Sequence, residues 1–307
     1  MGKTLADDEG SSDPSSYSDR PGVPASTDPG RADPGPTDLG ALVARLRAAG
    51  CVFAEEEADA LAAASARPGR GAAWREAATV RRVAGEPLEH VLGEVAFAGA
   101  RLSVGPGVFV PRTRTGLLVD RAVALLPDAG LLVDLCCGVG AVGAVTAARR
   151  VDARVVCADV DPAATVHAER NTASYGDRAS VVTGDLYDAL PPRLRGRVDV
   201  VAANAPYVPT GAIGDMPREA REHEPRHTLD GGDDGAALHR RIVAGAGEWL
   251  APGGHLVIEA SRAQASELAS AMERAGLVAR VVVDDEIGGT VVEGRLPSVL
   301  LPSGVKV

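Results

Sequence analysis

Residues Leu131 to Gly143 read LLVDLCCGVGAVG, and the fold turns on how this stretch is read. The apolar run Leu131, Leu132, Val133 ends in Asp134, and it is short and bounded by glycine, so it predicts a buried strand. Gly138-Val139-Gly140-Ala141-Val142-Gly143 follows, and the small residues from Ala144 to Ala148 predict a helix. A strand, a glycine turn and a helix N-terminus let backbone amides approach a nucleotide closely. A second strand, Arg154 to Ala158, delivers Asp159, 21 residues past Gly138 and near the spacing of a ribose-binding acid. The literal glycine pattern also suits NAD. Asp134 at the strand end suits a cationic ligand better, such as the amino group and sulfonium of S-adenosylmethionine.

Upstream, residues 1 to 38 are Ser, Pro, Gly and Asp with few large apolar side chains, a composition that predicts a disordered tail. From Asp38, a plausible N-cap, Leu39, Leu42, Val43 and Leu46 recur at helical spacing toward Gly50. Further helices are predicted over 55–66 and 72–83, and a short one opens at Glu86-Pro87-Leu88 and stops at Gly93. These make a small helical domain, 39–95. Alternation from Phe97 to Val110 around Gly99 and Gly105-Pro106-Gly107 predicts a hairpin linker over 96–112.

Downstream, strands are predicted at 180–183, 198–203 and 255–259, with helices at 162–174, 235–250 and 262–275. Two final strands, 278–283 and 290–301, close the chain through Ile287-Gly288-Gly289. The fold class is therefore α/β: a Rossmann-like sheet over 113–307, mostly parallel, with one antiparallel strand near the C-terminus. Ligands in such sheets bind at the C-terminal strand ends. Asp134, Asp159, Asp185 and Asn204 all fall there, on four strands.

The 307 residues carry a formal charge of -10, and the first 38 hold eight acidic against three basic residues. That balance argues against a broad phosphate-binding surface. Cys51, Cys136, Cys137 and Cys157 show no metal spacing and read as buried thiols of a reducing cytosol. With no signal core and no run of eighteen apolar residues, the expected location is the cytoplasm, with no membrane partner and no metal.

Asn204-Ala205-Pro206-Tyr207 ends the fourth strand in chain order. An asparagine side-chain oxygen and the next backbone carbonyl can both accept from one planar NH2 group. Proline stiffens the turn, and tyrosine offers a flat face. The set suits methylation of an amide or exocyclic amine, a poor nucleophile that must be fixed against its methyl donor.

On these residues the chain resembles the N(5)-glutamine methyltransferases that modify release factors, class I enzymes that use S-adenosylmethionine. The resemblance spans about residues 40 to 302. It rests on Gly85-Glu86-Pro87-Leu88-Glu89-His90-Val91-Leu92-Gly93, Phe97, Val110-Pro111-Arg112, Asp134 to Gly140, Ala158-Asp159, Asn171, Asp185 and Asn204 to Pro209. It continues through Glu224-Pro225, Leu229-Asp230-Gly231-Gly232, Asp234-Gly235, Glu259 and Gln264. It implies that Asp134, Gly138 and Gly140 meet the methionine half of the donor, Asp159 the ribose, and Asp185 with Leu186 the adenine, with Cys136 also among the donor residues. Thr115 is counted with the donor residues. Asn204 and the carbonyl of Ala205 would orient the acceptor amide, with Pro206 and Tyr207 completing the catalytic set. The helical domain would grip the protein substrate, a release factor.

Three departures stand out. Ala205 replaces the first proline of the usual Asn-Pro-Pro-Tyr, and Cys136 stands where a glycine or similar small residue is usual. Thr113, Arg114 and Gly116 interrupt the usual Pro-Glu-Thr-Glu after Arg112, leaving only Thr115. Two other readings stay open: an amino methyltransferase acting on adenine in RNA or DNA, and a binding protein that keeps the donor pocket without catalysis. The acidic balance weighs against nucleic acid as the direct substrate, and the altered Thr113-Arg114 segment favours the binding protein.

Overall fold

The computed structural model describes residues 36–298, with side chains from residue 39 onward. The expected disordered tail therefore lies almost wholly outside the described residues, as does the end of the last predicted strand. Four helices come first: α1 (Pro36–Ala48), α2 (Ala54–Ser65), α3 (Ala72–Val83) and α4 (Leu88–Leu92). They share a core of Leu42, Leu46, Ala54, Ala58, Leu61, Ala78 and Val91. Helix α1 extends back to Pro36, so Asp38 lies inside it instead of capping it.

The hairpin departs from its predicted place. Strand β1 (Glu94–Phe97) pairs antiparallel with β2 (Ala100–Ser103), two residues earlier than expected, and pairing stops at Ser103. Its turn sits at Ala98 and Gly99, with φ of 48° and 86°. The segment through Gly105-Pro106-Gly107 is unpaired chain leading toward the site. Asn171 holds the hairpin to the glycine turn, because its side chain meets Ser103 N at 2.6 Å and donates to Val139 O at 2.8 Å.

The main sheet has seven strands: β3 (Leu131–Leu135), β4 (Arg154–Asp159), β5 (Ala179–Thr183), β6 (Val198–Ala203), β7 (Leu250–Glu259), β8 (Val278–Asp284) and β9 (Gly289–Arg295). Their order is β5-β4-β3-β6-β7-β9-β8. Only β9 runs antiparallel, inserted between β7 and β8, as the closing hairpin pattern predicts. All five residues of β3 are buried, the mark of a central parallel strand covered on both faces.

One face carries α5 (Gly116–Leu125), α6 (Ala141–Arg149) and α7 (Pro162–Thr172), the other α9 (Ala237–Trp249) and α10 (Ala265–Arg274). Helix α5 and the short α8 (Arg218–His223) are additions to the predicted elements. Helix α5 has no side-chain cap and grows out of a 3-10 turn at Thr113–Thr115, so no start signal marks it. Strand order reverses at β3, between β4 and β6, which opens a crevice at the C-terminal strand ends. No helix among the described residues is long and apolar enough to cross a membrane.

Candidate active site

The turn after β3 is built for close approach. Cys136 takes a left-handed φ of 53°, which favours glycine, so a side chain there carries backbone strain. Gly138 and Gly140 follow at 54° and 75°. A Cβ on Gly143 would lie 2.3 Å from Cys157 Sγ, so α6 meets β4 only because that residue is glycine. Gly140 serves packing: a Cβ there would sit 2.9 Å from that of Ala168, and the residue does not line the cavity.

That cavity measures about 1150 Å³ with its open mouth included. Thr115, Asp134, Cys136, Gly138, Asp159, Asp185, Leu186, Asn204, Ala205, Pro206 and Tyr207 all line it. Of the twelve residues singled out from the sequence, only Gly140 stands behind the wall. Residues 134, 159, 185 and 204 are far apart in the chain, and parallel pairing alone brings their strand ends together.

Asp134 is fully buried and accepts from Gly143 N at 2.9 Å. Burial pushes its carboxyl up to about 7, against the pull of that amide and with Asp159 adding to the rise. Asp159 spends one oxygen on Gly138 N, 2.7 Å, and the other on Asp161 N, 2.9 Å. Burial raises its carboxyl too, and those two amides oppose the rise. Asp185 pairs with Arg241 at 2.7 Å.

Asn204 donates its side-chain NH2 to Thr115 Oγ1 at 3.3 Å. Thr115 thus meets the asparagine motif from behind. The chain after the motif is clamped: Val208 N donates to Leu229 O at 3.0 Å, Gly231 N to Val208 O at 2.8 Å, and Gln264 Nε2 to Tyr207 O at 3.0 Å. A Cβ on Gly235, at φ 73°, would lie 2.4 Å from Tyr207 O. The Leu229–Gly235 loop, Gln264 and the motif are one packed unit.

Several lining residues escaped the sequence reading as site residues. Met216 and His227 reach the cavity from segments without periodic pattern, Phe109 from the chain after the hairpin, and Leu238 from the first turn of α9. His227 Nε2 lies 3.3 Å from Asp161, so the loop carrying it reaches over the turn after β4. Arg112 pairs with buried Glu224 at 2.5 Å, and Arg82 of α3 with Glu219 of α8 at 2.7 Å. Arg114, visible only as a departure, donates Nε to Tyr207 Oη at 3.0 Å and to Glu259 Oε1 at 3.2 Å. Burial and nearby Glu259 push the Tyr207 hydroxyl up to about 12.

The site is wide enough for a nucleoside. Its fixed carboxylate Asp134, at the head of the glycine turn, fits a cationic amino acid group, and Asp159 one strand away fits a ribose. These features match S-adenosylmethionine.

A family model described as "Methyltransferase small domain" matches residues 105–220. The chain is 40% identical over 240 residues to a release factor glutamine methyltransferase of Mycolicibacterium smegmatis, covering 73% of this chain and 83% of that protein. A release factor glutamine methyltransferase of Cereibacter sphaeroides is 35% identical over 278 residues, 85% of this chain and 98% of the relative. A 4-amino-L-phenylalanine/4-methylamino-L-phenylalanine methyltransferase of Streptomyces pristinaespiralis is 41% identical over 187 residues, 58% of this chain and 62% of that one.

Proposed function

The chain belongs to the release factor glutamine methyltransferases, and from that premise we propose that it methylates a glutamine side-chain amide of a peptide chain release factor in the cytoplasm. The observation that carries this reading is Asn204. Its NH2 is held on Thr115, while its Oδ1 has no hydrogen-bond partner among the described residues. That leaves an acceptor atom fixed at the end of β6, beside the end of β3 that carries Asp134. An incoming amide NH2 can be gripped there and by the carbonyl of Ala205.

Asp134 and the Gly138 turn hold the amino acid end of the donor in this reading, Asp159 its ribose, and Asp185 with Leu186 its adenine. When bound, the donor supplies an electrophilic methyl on a sulfonium. The protein contributes position: an amide nitrogen has its lone pair delocalised, so Asn204, Ala205 and Tyr207 must hold it in line. The helical unit 39–95, braced on α8 through Arg82 and Glu219, is the part proposed to grip the protein substrate.

Labelled donor incubated with cell protein and RNA tests the class of acceptor. Label is expected in a release factor and absent from RNA; label confined to RNA would support the adenine reading instead. A second reading, a free amino acid bearing an aromatic amine as acceptor, is favoured by the cation Arg114 at the acceptor end, which can pair with the amino acid's carboxylate, and 4-amino-L-phenylalanine in the same assay separates the two.

Asp134 also gives the donor site a pH dependence. In the free protein its carboxyl is raised from 3.8 to about 7, so the fold is most stable with it protonated. That contribution, at most about 4 kcal/mol, is lost as pH climbs from about 4 through 7. A bound ammonium favours the carboxylate, so donor affinity is expected to rise roughly tenfold from pH 5.5 to 7, with a proton released on binding. Calorimetry in buffers of different ionisation enthalpy reads both. A flat affinity with no proton released would remove Asp134 from donor binding.

A further inference from the structure

Beside the donor cavity lies a second, open cleft of about 730 Å³, lined by Arg114, Tyr207, Ala260, Ser261, Arg262, Asp285, Gly288 and Thr290. Arg114 and Tyr207 belong to both walls. We propose that this cleft is a carboxylate subsite, in which Arg114 receives an acid group that the acceptor carries close to the nitrogen being methylated. The proposal rests on the reading that the acceptor sits at Asn204 and Tyr207.

The side chain is held for that task. Its Nε is committed to Tyr207 Oη and Glu259 Oε1, at 3.0 and 3.2 Å, and Tyr207 Oη itself lies 3.3 Å from the same carboxylate oxygen. Its two terminal nitrogens have no partner among the described residues, and the side chain remains 42% exposed. A guanidinium anchored through Nε presents those terminal nitrogens in a fixed fork, and a carboxylate matches a fork with two parallel bonds. The guanidinium carbon is 5.9 Å from the Tyr207 ring centre. An acid group held there therefore lies close to an amide packed on that ring.

The surrounding charges leave room for it. Arg262 opens on the cleft as well, paired with Asp285. Ser261 is spent on Gln264 Oε1 at 2.6 Å. Arg114 and Arg262 thus balance Glu259 and Asp285, and of the two carboxylates Glu259 is buried behind Arg114. At position 114 the usual pattern of the resembled family has glutamate, which would repel an acid group here; arginine reverses the sign. The plainer role, a counter-ion for Glu259, needs only Nε and leaves the exposed fork unexplained.

The test uses the full chain loaded with S-adenosylhomocysteine and short peptides in matched pairs. One pair ends in glutamine, with a free C-terminal carboxylate or an amide; the other places glutamate or glutamine after the target glutamine, both amidated. Calorimetry is expected to find the acidic member of at least one pair bound roughly ten- to a hundredfold more tightly than its neutral twin. Which pair shows the difference tells a main-chain carboxylate from a side-chain one. Arg114→Gln should bring the acidic peptide to the level of its twin, Arg114→Lys should recover part, and affinity for S-adenosylhomocysteine in both variants shows that the fold is intact. Equal affinities within both pairs, no binding of any peptide, or a preference that survives Arg114→Gln would overturn the subsite. An Arg114-dependent preference, with no methyl transferred to any of these peptides in a parallel incubation with S-adenosylmethionine, would keep the subsite and refute glutamine as acceptor.

Discussion

Asn204→Ala is expected to cut methyl transfer by roughly a hundred- to a thousandfold, the usual cost of removing one preorganised contact to the reacting group. Donor affinity should change only slightly. Asn204 stands at the end of β6, held through Thr115 Oγ1, and its remaining oxygen is the atom assigned to the acceptor NH2. The residues proposed to hold the donor lie at other strand ends. Asn204→Asp retains an acceptor oxygen but gives up the donor that holds Thr115 in its present form, so a small residual rate is expected. Turnover and donor affinity measured on one preparation separate the two effects. Full turnover in Asn204→Ala would remove the motif from catalysis.

Asp159→Ala is expected to weaken S-adenosylmethionine binding by about a hundredfold. Charge-assisted hydrogen bonds are each worth roughly 1.5 to 3 kcal/mol, and the structure adds a second cost. Both carboxylate oxygens already hold backbone amides, Gly138 N on one side and Asp161 N on the other. The substitution therefore loosens the glycine turn as well as losing the ribose contact. Asp159→Asn keeps one acceptor oxygen and should fall between the two. Calorimetry gives the affinity, and a thermal melt close to that of the parent confirms the sheet. Unchanged binding in Asp159→Ala would overturn the ribose assignment.

Much of the site was legible because the chemistry sits where a pattern changes. Leu131 to Val133 reads as an apolar run closed by Asp134, since a central parallel strand is buried on both faces. The glycines after it mark where backbone must turn left-handed, and Asp159 and Asn204 each close an apolar run. The antiparallel insertion of β9 followed from two short runs joined by Gly288 and Gly289.

What escaped has no local signature. Helix α5 starts without a cap, and β7 begins at Leu250, ahead of the Pro252-Gly253-Gly254 run that breaks its alternation. The hairpin was placed late because Gly105-Pro106-Gly107 looks like a turn, while the chain turns at Ala98 and Gly99. Arg114 was visible as an oddity, but its partners Tyr207 and Glu259 lie 93 and 145 residues away, and only the sheet brings them together. Gly140, counted with the donor residues, is needed against Ala168 of α7, a contact between helices that spacing cannot reveal.

The most direct test of the central assignment is to locate the transferred methyl. A purified bacterial release factor, treated with this protein and S-adenosylmethionine and then fragmented by mass spectrometry, should carry a single added methyl on a glutamine side-chain nitrogen, absent when Asn204→Ala is used. A methyl on any other residue, or no methyl on the release factor from a preparation that binds the donor, would contradict it.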